Sequence, residues 1–118
     1  MAPSTLFIEA QTTKIHELWK TNAINWQHKN LSDETSAPLA LGRPSGYVWA
    51  ANASQHIVYL GEDYQIHELY FKRGVGWQYN DIGIEATATA AIGNPFGYVW
   101  VDDGSQHVVY RRCGWTYS

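Results

Sequence analysis

Two short runs carry most of the hydrogen-bonding chemistry of this chain, and each occurs twice. His16-Glu17-Leu18-Trp19 returns as His67-Glu68-Leu69-Tyr70, and Ser54-Gln55-His56 returns as Ser105-Gln106-His107. A carboxylate accepts hydrogen bonds, while a glutamine amide or an imidazole can both donate and accept. Around them stand Trp26, Trp49, Trp77 and Trp100. Flat rings beside a few oriented polar groups suit two tasks. They can lock strands together in an interior. They can also hold a ligand with C–H faces and hydroxyls, such as a pyranose, in a shallow and partly wet site. On the binding reading the contact residues are Glu17, Trp19, Trp26, Trp49, Gln55 and His56, with Glu68, Tyr70, Trp77, Trp100, Gln106 and His107. On the structural reading, Trp49, Trp100, Tyr59 and Tyr110 pack, and the Gln-His pairs with Glu17 and Glu68 form a network. Identity between repeats does not separate the two readings, because packing and binding both repeat.

Other chemistry is poorly supported. His16-Glu17 and His67-Glu68 begin like a zinc-protease motif, but the second histidine is missing and the context is strand. Neighbours on a strand point to opposite faces, which makes a poor metal clamp. The five histidines show no ligand spacing, so neither a metal nor a cofactor is expected. Asp102-Asp103 would suit glycoside hydrolysis as paired carboxylates. Their counterparts in the other repeat are Ala51-Asn52, and adjacent acids fit a turn. Cys113 lacks the context of a nucleophile. There is no Gly-rich phosphate loop. No enzyme is expected.

The elements that position these residues follow from an internal repeat. Trp26-Gln27 returns as Trp77-Gln78, and Gly46-Tyr47-Val48-Trp49 as Gly97-Tyr98-Val99-Trp100, always at an offset of 51. Between positions 15 and 60, about 20 of roughly 46 aligned pairs are identical without a gap. Each repeat reads as four short strands. In the complete copy these are A (Gly46 to Ala51), B (Gln55 to Leu60), C (Ile66 to Lys72) and D (Trp77 to Asp81). The connections 31–45 and 82–96 end at Arg43-Pro44 and Asn94-Pro95, and no helix is expected in them. Apolar residues on both alternating faces, as in Tyr47/Trp49 against Val48/Ala50, imply burial on both sides. Four up-and-down strands at a period near 50 describe an all-β fold of β-propeller blades.

Two blades cannot close a ring, since propellers typically need four to eight. The phase suggests how a ring is completed. The chain starts with C (Ile15 to Lys20) and D (Asn25 to Lys29) and ends with A (Gly97 to Asp102) and B (Gln106 to Arg111). Joined end to end, two copies make a composite blade, and rotation-related heterologous contacts close rings. The expectation is one two-blade unit over 1–118, with repeats at about 16–66 and 67–118 and residues 1–15 as an extension or extra strand. A cyclic homo-oligomer follows, with a trimer favoured and a tetramer next. The competing reading is a fragment of a longer propeller. Leu6-Phe7-Ile8 aligns with Ile57-Val58-Tyr59 as a surplus B-like strand, and the run from Arg111 to Trp115 resembles Lys72 to Trp77, shortened.

Composition narrows the partners. The 118 residues carry a net charge of −3 and no Lys/Arg run, which disfavours nucleic acid and anionic membranes. No apolar stretch approaches the roughly 20 residues of a membrane span. A charged fraction of 16% argues against disorder, and aromatic residues reach 14%. Met1 to Gln11 does not read as a secretory signal, so localisation stays open with the cytoplasm as default. One cysteine allows no intrachain disulfide and fits a reducing compartment.

The repeated motifs resemble lectin-type β-propellers. The likeness is closest to bacterial fucose-binding propellers of the PLL-like group, and looser to tachylectin-2. Their repeats likewise combine a Tyr-Val-Trp-like strand, here Gly46 to Trp49, a Gln-His-Val-Val-Tyr-like strand, here Gln55 to Tyr59, and a His-Glu-Leu-Trp-like strand, here His16 to Trp19 and His67 to Tyr70. The likeness covers nearly the whole chain and implies a multivalent lectin for a neutral, fucose-like monosaccharide on glycans. It departs from that group in chain length, since those proteins usually hold a full ring in one chain. The alternative is a protein-interaction or structural ring that binds no sugar.

Overall fold

The structure, a computed structural model, describes residues 11–88, 90–112 and 114. Its strands form three antiparallel sheets in chain order. In the first, β1 (His16–Trp19) pairs with β2 (Gln27–Asn30). The second is a four-stranded meander of β3 (Ser45–Trp49), β4 (Ser54–Leu60), β5 (Ile66–Lys72) and β6 (Gly76–Asn80). In the third, β7 (Ala91–Trp100) pairs with β8 (Ser105–Arg112). The all-β class and the sequence of two, four and two strands agree with the reading of the repeat. None of the three sheets closes into a ring among the described residues. The surplus strand at Leu6 to Ala10, Cys113 and Trp115 lie outside the described residues.

Two short helices correct the expectation of none. They are α1 (Leu31–Thr35) and α2 (Ile82–Glu85), and each opens a connection between sheets. A helix this short has no stability of its own and depends on its cap and its packing. Asn30 and Asp81, equivalent in the repeat, are the N-caps. Their side chains accept from the backbone N–H of Asp33 and Ile84, each at 3.1 Å. Leu31 and Ile82 then turn into the core. A second correction concerns β7, which starts at Ala91 rather than Gly97. Ala91 and Ile92 pair with Arg112 and Arg111, and an irregularity separates them from Phe96. Gly93, at φ +77°, and Pro95 occupy that bulge, where a missing N–H does no harm to the ladder.

The same packing unit joins each sheet to the next. Ile15, Leu31, Ala40 and Tyr59 are buried together with Leu69. At the repeat offset their counterparts are Ile66, Ile82, Ala91 and Tyr110. Of these, Ile66 and Ala91 are buried together with Leu60, and Ile82 and Tyr110 pack against them. The backbone repeats as well. Ala40 donates to Thr13 at 2.8 Å, and Ala91 donates to Tyr64 at 2.8 Å. Each large apolar side chain buried this way contributes about 1.5–3 kcal/mol. Among the described residues, no helix is long and apolar enough to cross a membrane.

The Tyr47 ring of the second sheet lies directly over Gly97 of the third. A β-carbon at Gly97 would lie 2.5 Å from the Tyr47 ring, so only glycine lets the sheets meet at this distance. Gly97→Ala is therefore expected to lower stability by about 1–3 kcal/mol, the usual cost of overpacking. Urea unfolding of both proteins measures this. An unchanged midpoint would mean that the ring is not held against the strand.

Candidate functional site

A cleft of about 470 Å³ opens between the first and second sheets. Glu17 and Trp19 enter it from β1, with Lys20 and Thr21 just beyond, and Lys29 enters from β2. Alternation places Glu17 and Trp19 on one face of β1. From the second sheet come Gln55 on β4, Phe71 on β5 and Trp77 on β6. Phe71 and Trp77 are cross-strand partners with ring centroids 5.6 Å apart and a 55° tilt. This gives the cleft an aromatic wall with a fixed shape. Burial pushes the Glu17 carboxyl above its usual range. The Lys29 charge and a hydrogen bond from Trp77 offset part of that rise, and the charge of Glu34 adds to it. A second hollow of about 270 Å³ shares Glu17, Gln55 and Trp77 and runs on to Gly46, Tyr47 and His56.

Beside the cleft lies a buried polar network. Ser54 Oγ stands 2.7 Å from His56 Nε2, and His56 Nδ1 stands 2.8 Å from Glu68 Oε2. An ionised carboxylate only accepts, so His56 donates from Nδ1 and receives the Ser54 hydroxyl at Nε2. Tyr47 stacks on His56 with centroids 5.0 Å apart and an 11° tilt, and its hydroxyl donates to Gln106 Oε1 at 3.1 Å. Burial, and after it the Glu68 charge, raises the Tyr47 phenol well above its usual range. The third sheet holds half of the same network. Ser105 Oγ lies 2.7 Å from His107 Nε2, and Tyr98 stacks on His107 at 5.0 Å and 9°.

The twelve residues singled out from the sequence therefore divide. Glu17, Trp19, Gln55 and Trp77 converge on the cleft. His56 and Glu68, only 6% and 8% exposed, bond each other inside the second sheet. Trp49 donates its indole N–H to Gly104 O at 2.8 Å, and Tyr70 donates to Gln78 Oε1 at 3.2 Å. Gln106 accepts from Tyr47, and His107 bonds Ser105. Trp26 and Trp100 are exposed, and the Lys20 ammonium sits 5.7 Å from the Trp26 ring centre. Sequence reasoning missed Lys20, Lys29 and Phe71. They occupy positions where the two repeats differ, so the repeat pattern does not mark them.

One cluster has metal-ligand composition. Donor atoms of Asp63, His67 and Asp81 lie within 4.8 Å of one another. Both His67 nitrogens are already engaged, Nε2 with Asp63 Oδ1 at 2.8 Å and Nδ1 with the Tyr79 hydroxyl at 2.7 Å. Burial raises the Asp63 carboxyl, but hydrogen bonds from His67 and Gln65 outweigh this and leave it below its usual range. Burial, with the Asp81 and Asp63 charges, pushes the Tyr79 phenol up to about 12. The cluster reads as a clamp on the turn before β5. Asp102-Asp103 lies in the turn between β7 and β8, where Asp103 accepts from the Ser105 backbone N–H at 3.0 Å and from its hydroxyl at 2.7 Å.

The sequence matches no known protein-family model, and no curated protein or solved structure shows significant similarity to it. The geometry alone therefore sorts the candidates, and it makes a testable distinction. Removing one partner of a buried pair leaves the other uncompensated, so Glu68→Ala is expected to cost about 3–5 kcal/mol of folding stability. Chemical denaturation measures it. A loss within the range of an exposed residue, below about 1 kcal/mol, would contradict the structural role.

Proposed function

We propose that this chain is a two-blade unit of a β-propeller lectin and that the cleft between its first two sheets binds a neutral monosaccharide without catalysis. The observation that carries the proposal is the convergence of Trp19, Phe71 and Trp77 with Gln55 and Glu17 on one cleft. Rings supply a platform for sugar C–H bonds, and the amide and carboxylate orient hydroxyls. The repeated packing between sheets supports the blade reading, because each step places the next sheet against the last in the same way. A fucose-like ligand is suggested by the likeness of the repeats to propeller lectins.

The ring is completed by cyclic homo-oligomerisation. Three copies give six blades and are favoured; four copies give eight. Each chain brings its own cleft to the ring, so the assembly displays several sites, and effective concentration turns weak single sites into useful avidity. A carboxylate pair for glycoside hydrolysis has no support from Asp102-Asp103, since Asp103 is engaged with Ser105.

A glycan array followed by a tryptophan-fluorescence titration tests the reading. Binding is expected on the order of 10 µM to 1 mM per site, because few polar groups meet a small ligand. Moderate salt should change it little, since the ligand is uncharged. Trp77→Ala should weaken binding by at least about tenfold while the protein stays folded, since lost aromatic stacking is worth about a kcal/mol or more. If no glycan on a broad array binds, the chain is an interaction or structural ring instead.

A further inference from the structure

The half-sheets at the two ends carry complementary halves of one arrangement. Leu69 on β5 is 0% exposed, whereas its repeat counterpart Leu18 on β1 is 69% exposed. Val58 on β4 is 0% exposed, whereas its counterpart Val109 on β8 is 52% exposed. In the middle sheet β4 covers β5, with Val58 opposite Glu68 and His56 opposite Tyr70. Among the described residues β1 has no such cover and β8 covers nothing. The polar network divides in the same way. Tyr98, Ser105 and His107 stand as Tyr47, Ser54 and His56 do, but lack a glutamate. Glu17 stands where Glu68 does, but lacks a histidine partner among the described residues.

A third observation points to the same join. Gly97 is covered by the Tyr47 ring, whereas at Gly46 a β-carbon would meet only His56 O, at 3.7 Å. The hollow of about 270 Å³ borders this open glycine. By the repeat, the ring that belongs over Gly46 is Tyr98, but the chain's own Tyr98 is stacked on His107 within the third sheet and leaves Gly46 open.

We infer that the hollow over Gly46 is the socket for Tyr98 of a second copy of this chain, whose β8 pairs antiparallel with β1 and brings its His107 onto Glu17. This rests on the ring reading above and specifies its junction. The register follows from the middle sheet. Gln55 faces Phe71 and His56 faces Tyr70, so Gln106 of the second copy faces Lys20 and its His107 faces Trp19. Its Tyr98 hydroxyl then donates to Gln55, as Tyr47 donates to Gln106. Its Trp100 indole reaches the carbonyl of Ala53, as Trp49 reaches that of Gly104. The docked copy fills the Gly46 end of the combined hollow. His107 takes one carboxylate oxygen of Glu17, and Tyr98 takes the amide oxygen of Gln55. This leaves the other Glu17 oxygen and the Gln55 amide N–H groups to the open end lined by Trp19, Lys29, Phe71 and Trp77. The cleft therefore gains its final wall only on assembly.

The occupant is a second copy rather than the chain's own leading segment for a chemical reason. Residues 6–10 align with the B strand, but that alignment sets Pro3 and Thr5 where Ser54 and His56 stand. Only β8 of another copy supplies both the serine and the histidine.

Gly46→Ala is the discriminating variant. The isolated chain has room for the methyl group, and Gly46 does not require a positive φ. At the junction the methyl would meet the Tyr98 ring, as it would at Gly97. Wild type is expected to sediment as a multiple of one chain at micromolar concentration. Gly46→Ala should keep its circular-dichroism spectrum and associate at least about tenfold more weakly. A cross-link provides an independent readout. In a Cys113→Ser background, Lys20→Cys with Gln106→Cys should oxidise to chain-to-chain disulfides, and Thr21→Cys with Gln106→Cys, on opposite faces, should not. A multimer that Gly46→Ala leaves intact, or that cross-links equally in both pairs, overturns this junction but leaves the ring. A wild type that runs as one chain overturns both. If Gly46→Ala does not fold, the two cross-linking pairs decide alone. Sugar binding is scored separately on the wild-type protein, and neither of these two readouts depends on its result.

Discussion

The structure depends on one repeated contact, the step by which each sheet is set against the next. An isoleucine at the start of the C strand, an apolar residue in the short helix, an alanine ahead of the next A strand's Gly-Tyr-Val-Trp run and a tyrosine on the next B strand form that step. It occurs once as Ile15, Leu31, Ala40 and Tyr59, and again as Ile66, Ile82, Ala91 and Tyr110. A tyrosine on the A strand packs over a glycine of the following sheet, and there the fit is too close for any other residue. The step is local and uses equivalent positions each time. On the proposed reading each sheet takes a predecessor and a successor, and among the described residues only the middle sheet has both.

This constraint accounts for the division of polar chemistry. In the middle sheet the carboxylate of Glu68 is taken out of water and bonded to His56, which in turn holds Ser54. A carboxylate buried this way is tolerated because it is paired and hydrogen-bonded, and removing one partner exposes its cost. In the first sheet the equivalent Glu17 is only partly buried. It lines the cleft, and its carboxyl is raised by desolvation that the Lys29 charge and a hydrogen bond from Trp77 offset only in part. The same residue type at the same repeat position thus lies inside a finished network in one sheet and beside an unfinished one in the other. The proposed ligand cleft and the proposed junction meet at Glu17 and Gln55, which ties sugar binding to assembly.

Much of the fold was legible in the sequence because identity at a fixed offset is a strong signal. The C strand at Ile66 to Lys72 was placed residue for residue, and the other strands of the middle sheet within a residue or two. The two helices escaped because a single turn leaves no periodic apolar pattern. Their only sequence mark is the capping residue, Asn30 or Asp81. The early start of β7 escaped because Pro95 reads as a strand boundary, although a bulge accommodates it. The candidate site was half legible. Identity drew attention to His56 and Glu68, which are identical because they build the sheet. Cleft residues such as Lys20 and Phe71 vary between repeats and carry no such mark. Glu17, Gln55 and Trp77 are identical between repeats and line the cleft all the same, so identity marks scaffold and cleft residues alike.

The central claim is that the two end sheets are halves of one sheet shared between copies. A sample mixing carbon-13-labelled and unlabelled chains addresses it without any substitution. Isotope-filtered nuclear Overhauser spectra select contacts between chains. The account predicts contacts from the Leu18 methyl groups to the Val108 methyl groups, since Leu69 lies opposite Ile57 in the complete sheet. Contacts between these residues that appear only within one chain, or none at all, would contradict it.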